Sequence, residues 1–205
     1  DRIGIFIVSG DDGQLNVQLE LGDHKPFAAR PIQHRHFLVP IEMAPGESLK
    51  VVFRIDTEGP MRVPVSLWQP QAFFERDATE SIAFGIYYGL MLVMAAYNLF
   101  VFASLRDRSY LYYVLIVVSY VIVDAGMNGH SFQYLWPHHP WWAERQIVVA
   151  TLICNVFLAA FSMRFLNLRT HHVRIWQLVA GLGLLAGVAA ALAFVLPYHW
   201  AAQIA

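Results

Sequence analysis

The rhythm of apolar and polar residues changes near residue 80. Before it, apolar residues alternate with polar ones. Leu15, Val17, Leu19 and Leu21 share one face of an extended chain, and so do Leu49, Val51, Phe53 and Ile55. Ile3–Val8, Phe37–Ile41 and Val63–Trp68 are three further strand candidates. Turn signals separate the runs: Asp11-Asp12-Gly13, Gly22-Asp23, Ala44-Pro45-Gly46 and Glu58-Gly59-Pro60. Short strands at this spacing, with no helical period between them, predict an antiparallel sandwich. Five strands make a small core for a sandwich, so strands preceding Asp1 are expected to complete it.

After residue 80 the apolar runs become too long for strands. Ser81–Leu105 is 25 residues without a charge, Ile147–Met163 is 17 and Ile175–Leu196 is 22. About 20 apolar residues cross the hydrocarbon core. Inside lipid the backbone must bond to itself, so these runs are predicted to be helices. Helix one is placed at Ser81–Phe102, helix two at Tyr110–Asp124, helix three at Glu144–Phe165 and helix four at Ile175–Leu196. Gly126–Trp142 is read as a long loop rich in tryptophan.

Charge then sets the orientation. Of 15 acidic residues, 12 precede residue 81, as do both lysines. Five of the six later arginines (Arg106, Arg108, Arg164, Arg169, Arg174) fall at the one-to-two and three-to-four connections; Arg145 alone lies on the other side. The positive-inside rule makes those two connections cytoplasmic. The β-rich segment and the Trp-rich loop are then expected outside, with Trp136, Trp141 and Trp142 in an interfacial belt. Four helices that start outside also end outside, so a protein with a cytoplasmic output requires further helices after Ala205. The chain is accordingly read as part of a longer protein.

Composition excludes several functions. The formal net charge is −1 with no basic run, which argues against nucleic-acid binding. Cys154 is the single cysteine, inside an apolar run, so no disulfide framework or CxxC site is available. The adjacent pairs His138-His139 and His171-His172 have poor ligand spacing, and no metal or other cofactor is expected. No nucleophile elbow, phosphate loop or HExxH stretch is present, so no catalytic residue is assigned.

Two groups of residues remain as candidates. Arg30, Arg35, His36 and Trp68 lie in or beside the irregular part of the first segment. One reading makes them ligand contacts on a loop held by a rigid sheet; the other has Arg30 and Arg35 tying down loop backbone or pairing with carboxylates, and Trp68 simply packing. Asn98, Asp124, Asn128 and Asn155 are polar at or near membrane depth, where such groups turn toward the bundle or a water-filled cavity. The spaced pairs Gly85/Gly89 and Gly183/Gly187 allow close helix approach. Packing within one bundle is preferred for them over a homodimer.

The junction carries a resemblance. Phe84-Gly85-Ile86-Tyr87-Tyr88-Gly89-Leu90-Met91 with Tyr97-Asn98-Leu99-Phe100, then Arg106-Asp107-Arg108-Ser109-Tyr110-Leu111-Tyr112-Tyr113, resemble the first helix, first loop and second-helix start of the bacterial seven-transmembrane receptors with diverse intracellular signalling modules (7TMR-DISM). Asn128-Gly129, Phe132-Gln133-Tyr134-Leu135-Trp136-Pro137 and Phe165-Leu166-Asn167-Leu168-Arg169 continue the likeness. Upstream, Gly22-Asp23, Pro26-Phe27, Arg30-Pro31-Ile32, His36-Phe37-Leu38-Val39-Pro40 and Pro45-Gly46-Glu47-Ser48-Leu49 are similar to that family's second type of extracellular domain.

The resemblance implies a jelly-roll-like periplasmic sensor similar to carbohydrate-binding modules, here its C-terminal part over residues 1–77. It implies a seven-helix domain in the bacterial inner membrane, here its first four helices over 78–205, with a fifth starting near Trp200. It also implies a cytoplasmic histidine kinase or diguanylate cyclase outside this chain. The expected function is therefore a receptor part that passes a periplasmic small-molecule or glycan signal across the lipid bilayer, with coupling at Gln71–Ala83. The rivals are a transporter or channel subunit, with a path along Asp124, Asn98 and Asn155, and a membrane-anchored assembly protein.

Overall fold

The computed structural model describes residues 2–9, 15–22, 25–56 and 63–194. The turns at Asp11–Gly13 and Glu58–Pro60, Asp23, and the chain after Phe194 lie outside the described residues. The chain forms a small antiparallel β-sheet followed by long apolar helices. It divides into two compact units, Asp1–Met61 with Ala125–Ile147, and Arg62–Asp124 with Val148–Ala205.

In the first unit three strands pair in the order β2-β1-β3: β1 (Arg2–Ser9), β2 (Leu15–Gly22) and β3 (Leu49–Asp56). Both pairings are antiparallel. Ile3 faces Leu21 on one side and Ile55 on the other; Ile5 faces Leu19 and Phe53. Alternation thus places Ile3, Ile5, Leu19, Leu21, Phe53 and Ile55 on one sheet face. Ile5, Ile7 and Leu21 are buried there, with Ile3, Leu19, Leu49 and Val51 around them. Burying each large side chain contributes about 1.5–3 kcal/mol.

The two remaining strand candidates are not strands. Phe37–Ile41 runs in irregular backbone, although Phe37, Val39 and Ile41 pack against the same core. The period-two pattern reports burial correctly, but Pro40 lacks the N–H that a ladder needs. Residues 63–69 are irregular and exposed, with Pro64 in their midst. Among the described residues the sheet therefore has three strands rather than five.

Among the described residues, four helices are long and apolar enough to cross a membrane: α1 (Pro70–Leu105), α2 (Arg108–Met127), α4 (Pro140–Phe165) and α6 (Val173–Ala193). Two short ones, α3 (His130–Tyr134) and α5 (Leu168–His171), lie in the connections. Helix α1 starts at Pro70 rather than Ser81. Proline suits a first helical position, where its missing N–H costs nothing. The charged first turns are bridged at helical spacing, Gln71 to Glu75 at 2.9 Å and Arg76 to Glu80 at 2.8 Å. At 36 residues α1 is about 54 Å long, well beyond a hydrocarbon core of about 30 Å. It runs unbroken through the expected coupling region.

Local chemistry fixes the turns between helices. Helix α1 ends at Arg106, which is left-handed (φ +56°) and returns its N–H to Phe102 O at 2.8 Å. Asp107 then caps α2, its Oδ1 accepting the Ser109 N–H and hydroxyl, each at 3.0 Å.

Within the second unit, Tyr88 of α1 donates its hydroxyl to Asp124 Oδ2 of α2 at 3.1 Å. Tyr113 of α2 lies 6.5 Å from Phe161 of α4. On α6, Gly183 and Gly187 face Ala159 and Val156 of α4; a Cβ on Gly183 would sit 2.9 Å from that of Ala159. The second glycine pair thus packs inside the bundle, as small residues at a helix interface do. A Cβ on Gly85 or Gly89 would meet nothing within 4 Å.

Candidate functional site

Among the described residues, a dense set of specific contacts lies in the first unit, where the loop between β2 and β3 meets the connection between α2 and α4. Pro26 opens a single 3-10 turn, Phe27–Ala29. This turn buries Phe27 and sends its N–H to Pro137 O at 3.0 Å. The Phe27 ring meets Phe132 of α3 edge-on, with centroids 5.6 Å apart at 86°. That geometry suits the ring quadrupoles.

Arg30 follows. Its guanidinium lies 4.3 Å from the Phe37 ring, 4.7 Å from Phe27 and 5.5 Å from Phe132. Its Nη1 donates to His34 O at 2.6 Å and Arg35 O at 2.9 Å. One cation thus closes the loop on itself and reaches the aromatic side of α3. Arg35 is buried, with Nη1 3.1 Å from His130 Nε2. Arginine can only donate, so His130 accepts through a ring lone pair. Gly129 completes the fit. Its φ is +77°, and a Cβ there would come within 3.2 Å of Arg35 O. Left-handed backbone and this close approach both favour glycine.

The far side of α3 is fastened to α4. Gln146 and Ser131 are each 1% exposed. The Gln146 amide nitrogen donates to Ser131 Oγ and, at 3.2 Å, to Ala143 O; its oxygen accepts the Trp136 indole N–H at 2.8 Å. A buried amide satisfied at both ends holds one geometry. Nearby, Trp142 stacks on Trp141 and meets Trp136 edge-on, and Arg145 lies 4.6 Å over Trp141.

Charge placed the first segment and the Trp-rich loop on the same side of the membrane. Their packing in one unit agrees with that orientation.

The sequence candidates separate accordingly. Arg30 donates to loop backbone, and Arg35 contacts His130 of the outer connection. His36 is exposed, its N–H held by His34 Nδ1 at 3.1 Å. Trp68 is exposed, with its indole N–H on Ser66 Oγ at 2.8 Å and the Arg76 guanidinium 5.1 Å over its ring. Asn128 is half-buried in the turn before Gly129. Asn98 donates to Met94 O at 2.8 Å within its own helix, Asp124 accepts from Tyr88, and Asn155 is exposed on α4. Sequence reading missed Ser131, His130, Phe132 and Gln146. A lone glutamine opening an apolar run was the one signal available for Gln146. Among the described residues no group of three or more His, Cys, Asp or Glu is placed to hold a metal ion.

These features define an integral membrane protein with a folded β domain. Residues 80–205, more than half of the chain, match the family described as 7TM diverse intracellular signalling. Residues 1–69 match 7TMR-DISM extracellular 2, ending one residue before Pro70 opens α1. The chain belongs to the 7TMR-DISM family: it is an inner-membrane signalling protein with a periplasmic extracellular domain. No curated protein and no solved structure matches it.

Proposed function

We propose that the chain is the sensing and transmitting part of a receptor. It binds a periplasmic small molecule, with carbohydrate as the first class to test, and biases a cytoplasmic histidine kinase or diguanylate cyclase, hence a two-component or cyclic di-GMP pathway. The observation that carries this reading is the joint between Arg30, Phe27 and α3. The loop that covers the sheet core through Phe37 is also the loop that grips the α2–α4 connection. A ligand that prefers one position of this loop therefore also prefers one position of α3. Differential affinity of that kind is what a transmitted signal requires.

In this reading His36 and Trp68, both exposed, offer ligand contacts, while Arg30 and Arg35 position the loop. The second route is α1, whose polar turns at Gln71–Ala83 lie between the periplasmic part, residues 1–77, and the membrane part and run unbroken into the apolar part of the same helix. Hydrogen exchange on the full-length receptor in nanodiscs, with and without a panel of mono- and disaccharides, tests the reading. A sugar that protects residues 25–41 should also change exchange in 126–139. Protection confined to the β domain would defeat the transmission argument, and no response to any sugar would defeat the ligand class.

A further inference from the structure

The cytoplasmic ends of the helices carry positive charge that their own acidic residues do not balance. Five arginines stand in the α1–α2 and α4–α6 connections against one carboxylate, Asp107. That carboxylate already accepts two bonds from Ser109 and one from Arg164 Nε at 3.3 Å. The Asp107–Arg164 pair also links the two connections, so the charges sit on one face rather than at two separate places. Arg106, Arg108, Arg169 and Arg174 are exposed, and among the described residues none of them is within ion-pair distance of a carboxylate.

What lies beside the arginines is apolar. Phe165 is 65% exposed, and Leu166, Val173 and Ile175 are at least half exposed. The Arg169 guanidinium lies 5.9 Å over the indole of Trp176, one turn into α6. Leu168 is buried and anchors α5 between these groups. Orientation in the membrane requires only an excess of arginine or lysine in these connections. It does not require two connections joined by an ion pair, or a guanidinium placed 5.9 Å from an indole.

A soluble anion would use the cations and leave the apolar side chains uncovered. An acidic protein would have to cover aliphatic residues on helices that enter the bilayer. A phospholipid does both: its phosphate meets guanidinium donors, which suit that group, and its chains cover the apolar flank. An anionic lipid gains further because each cation near a charged leaflet adds about fivefold in affinity.

We propose that this face is a binding site for anionic phospholipid of the cytoplasmic leaflet. Arg106, Arg108, Arg169 and Arg174 hold the headgroup phosphate, and Trp176 fixes Arg169 at its depth. This goes beyond the receptor reading and does not depend on it.

Native mass spectrometry of the full-length protein tests the site, with phosphatidylglycerol, cardiolipin and phosphatidylcholine titrated in turn. The anionic lipids should remain bound under activation that strips phosphatidylcholine. Replacing Arg169→Gln with Arg174→Gln should cut phosphatidylglycerol affinity about 25-fold, two cations at about fivefold each. Because the arginines also orient the helices, Trp176→Leu, which keeps every charge, is the second variant; it should lower the preference for anionic lipid with insertion unchanged. Inorganic phosphate should not displace the lipid. Equal retention of all three lipids, unchanged binding in both variants, or displacement by free phosphate at matching concentration would each overturn the proposal. So would an acidic soluble protein that displaces the lipid and binds in its place.

Discussion

Replacing Arg30 with alanine removes at least five contacts at once, and the sum of these five can be worked from the geometry. Two rings lie within 4.7 Å of the guanidinium and a third at 5.5 Å. At a half-buried site the two close pairs contribute about 0.5–1 kcal/mol each. Two carbonyls lose a charged donor at 2.6 and 2.9 Å. Such bonds contribute about 1.5–3 kcal/mol each when dry, and solvent at a half-exposed side chain reduces that severalfold. The joint should therefore loosen by about 2–4 kcal/mol. Local opening sets amide exchange, and 1.4 kcal/mol is tenfold, so residues 27–37 should exchange about 30- to 700-fold faster. Arg30→Lys should fall between, since a compact ammonium cannot face three rings and donate to two carbonyls together. Phe132→Ala probes the same joint from α3, and the double mutant should show a coupling of about 0.5–3 kcal/mol. The assay is hydrogen exchange on the full-length protein in nanodiscs. Protection of residues 27–37 that stays within threefold of wild type in Arg30→Ala would refute the reasoning.

Three further outcomes follow from other contacts. Gln146→Leu leaves the buried Ser131 hydroxyl and the Trp136 indole N–H without their partner, and should cost about 2–4 kcal/mol, read as a lower thermal midpoint with faster exchange in α3. Gly183→Ala forces a Cβ to 2.9 Å from Ala159 and should lower the midpoint of the bundle, whereas Gly85→Ala, with open space around it, should leave it unchanged or raise it slightly. The Asp107 carboxyl is held below the usual carboxylate range, first by the Ser109 backbone N–H, then by the Ser109 hydroxyl and Arg164. Because its folded value is depressed, the capping contribution is complete above the ordinary range and is lost as pH falls through the lower, folded value. Exchange in the first turn of α2 should accelerate over that acid window in wild type, and Asp107→Asn should flatten the response.

Much of the fold was legible because two periods are hard to counterfeit. Alternation located β1, β2 and β3, and uncharged runs of bilayer length located α1, α4 and α6. Alternation failed at Phe37–Ile41 for a physical reason: burial has period two there, but Pro40 removes a ladder donor, and sequence pattern reports burial rather than hydrogen bonding. The first turns of α1 were hidden because charges dominate them. Pro70 and the spacing of Arg76 to Glu80 were the available signs. Helix α3 is five residues long, too short for any period to register. The candidate site was legible only in part. Arg30 and Arg35 were singled out, but their partners Phe132 and His130 lie some hundred residues away. Single-residue chemistry gives no hint of a pairing that only the fold creates.

The unbroken α1 bears on how this family can change length. An insertion within Pro70–Glu80 turns everything before it by about 100° per added residue and lifts it by about 1.5 Å. Seven or eleven residues return nearly to the starting direction, whereas two reverse it. Descendants that gain or lose chain in this stretch should therefore do so in steps of seven or eleven. A gap of any other size would mark a lineage in which the helix has broken.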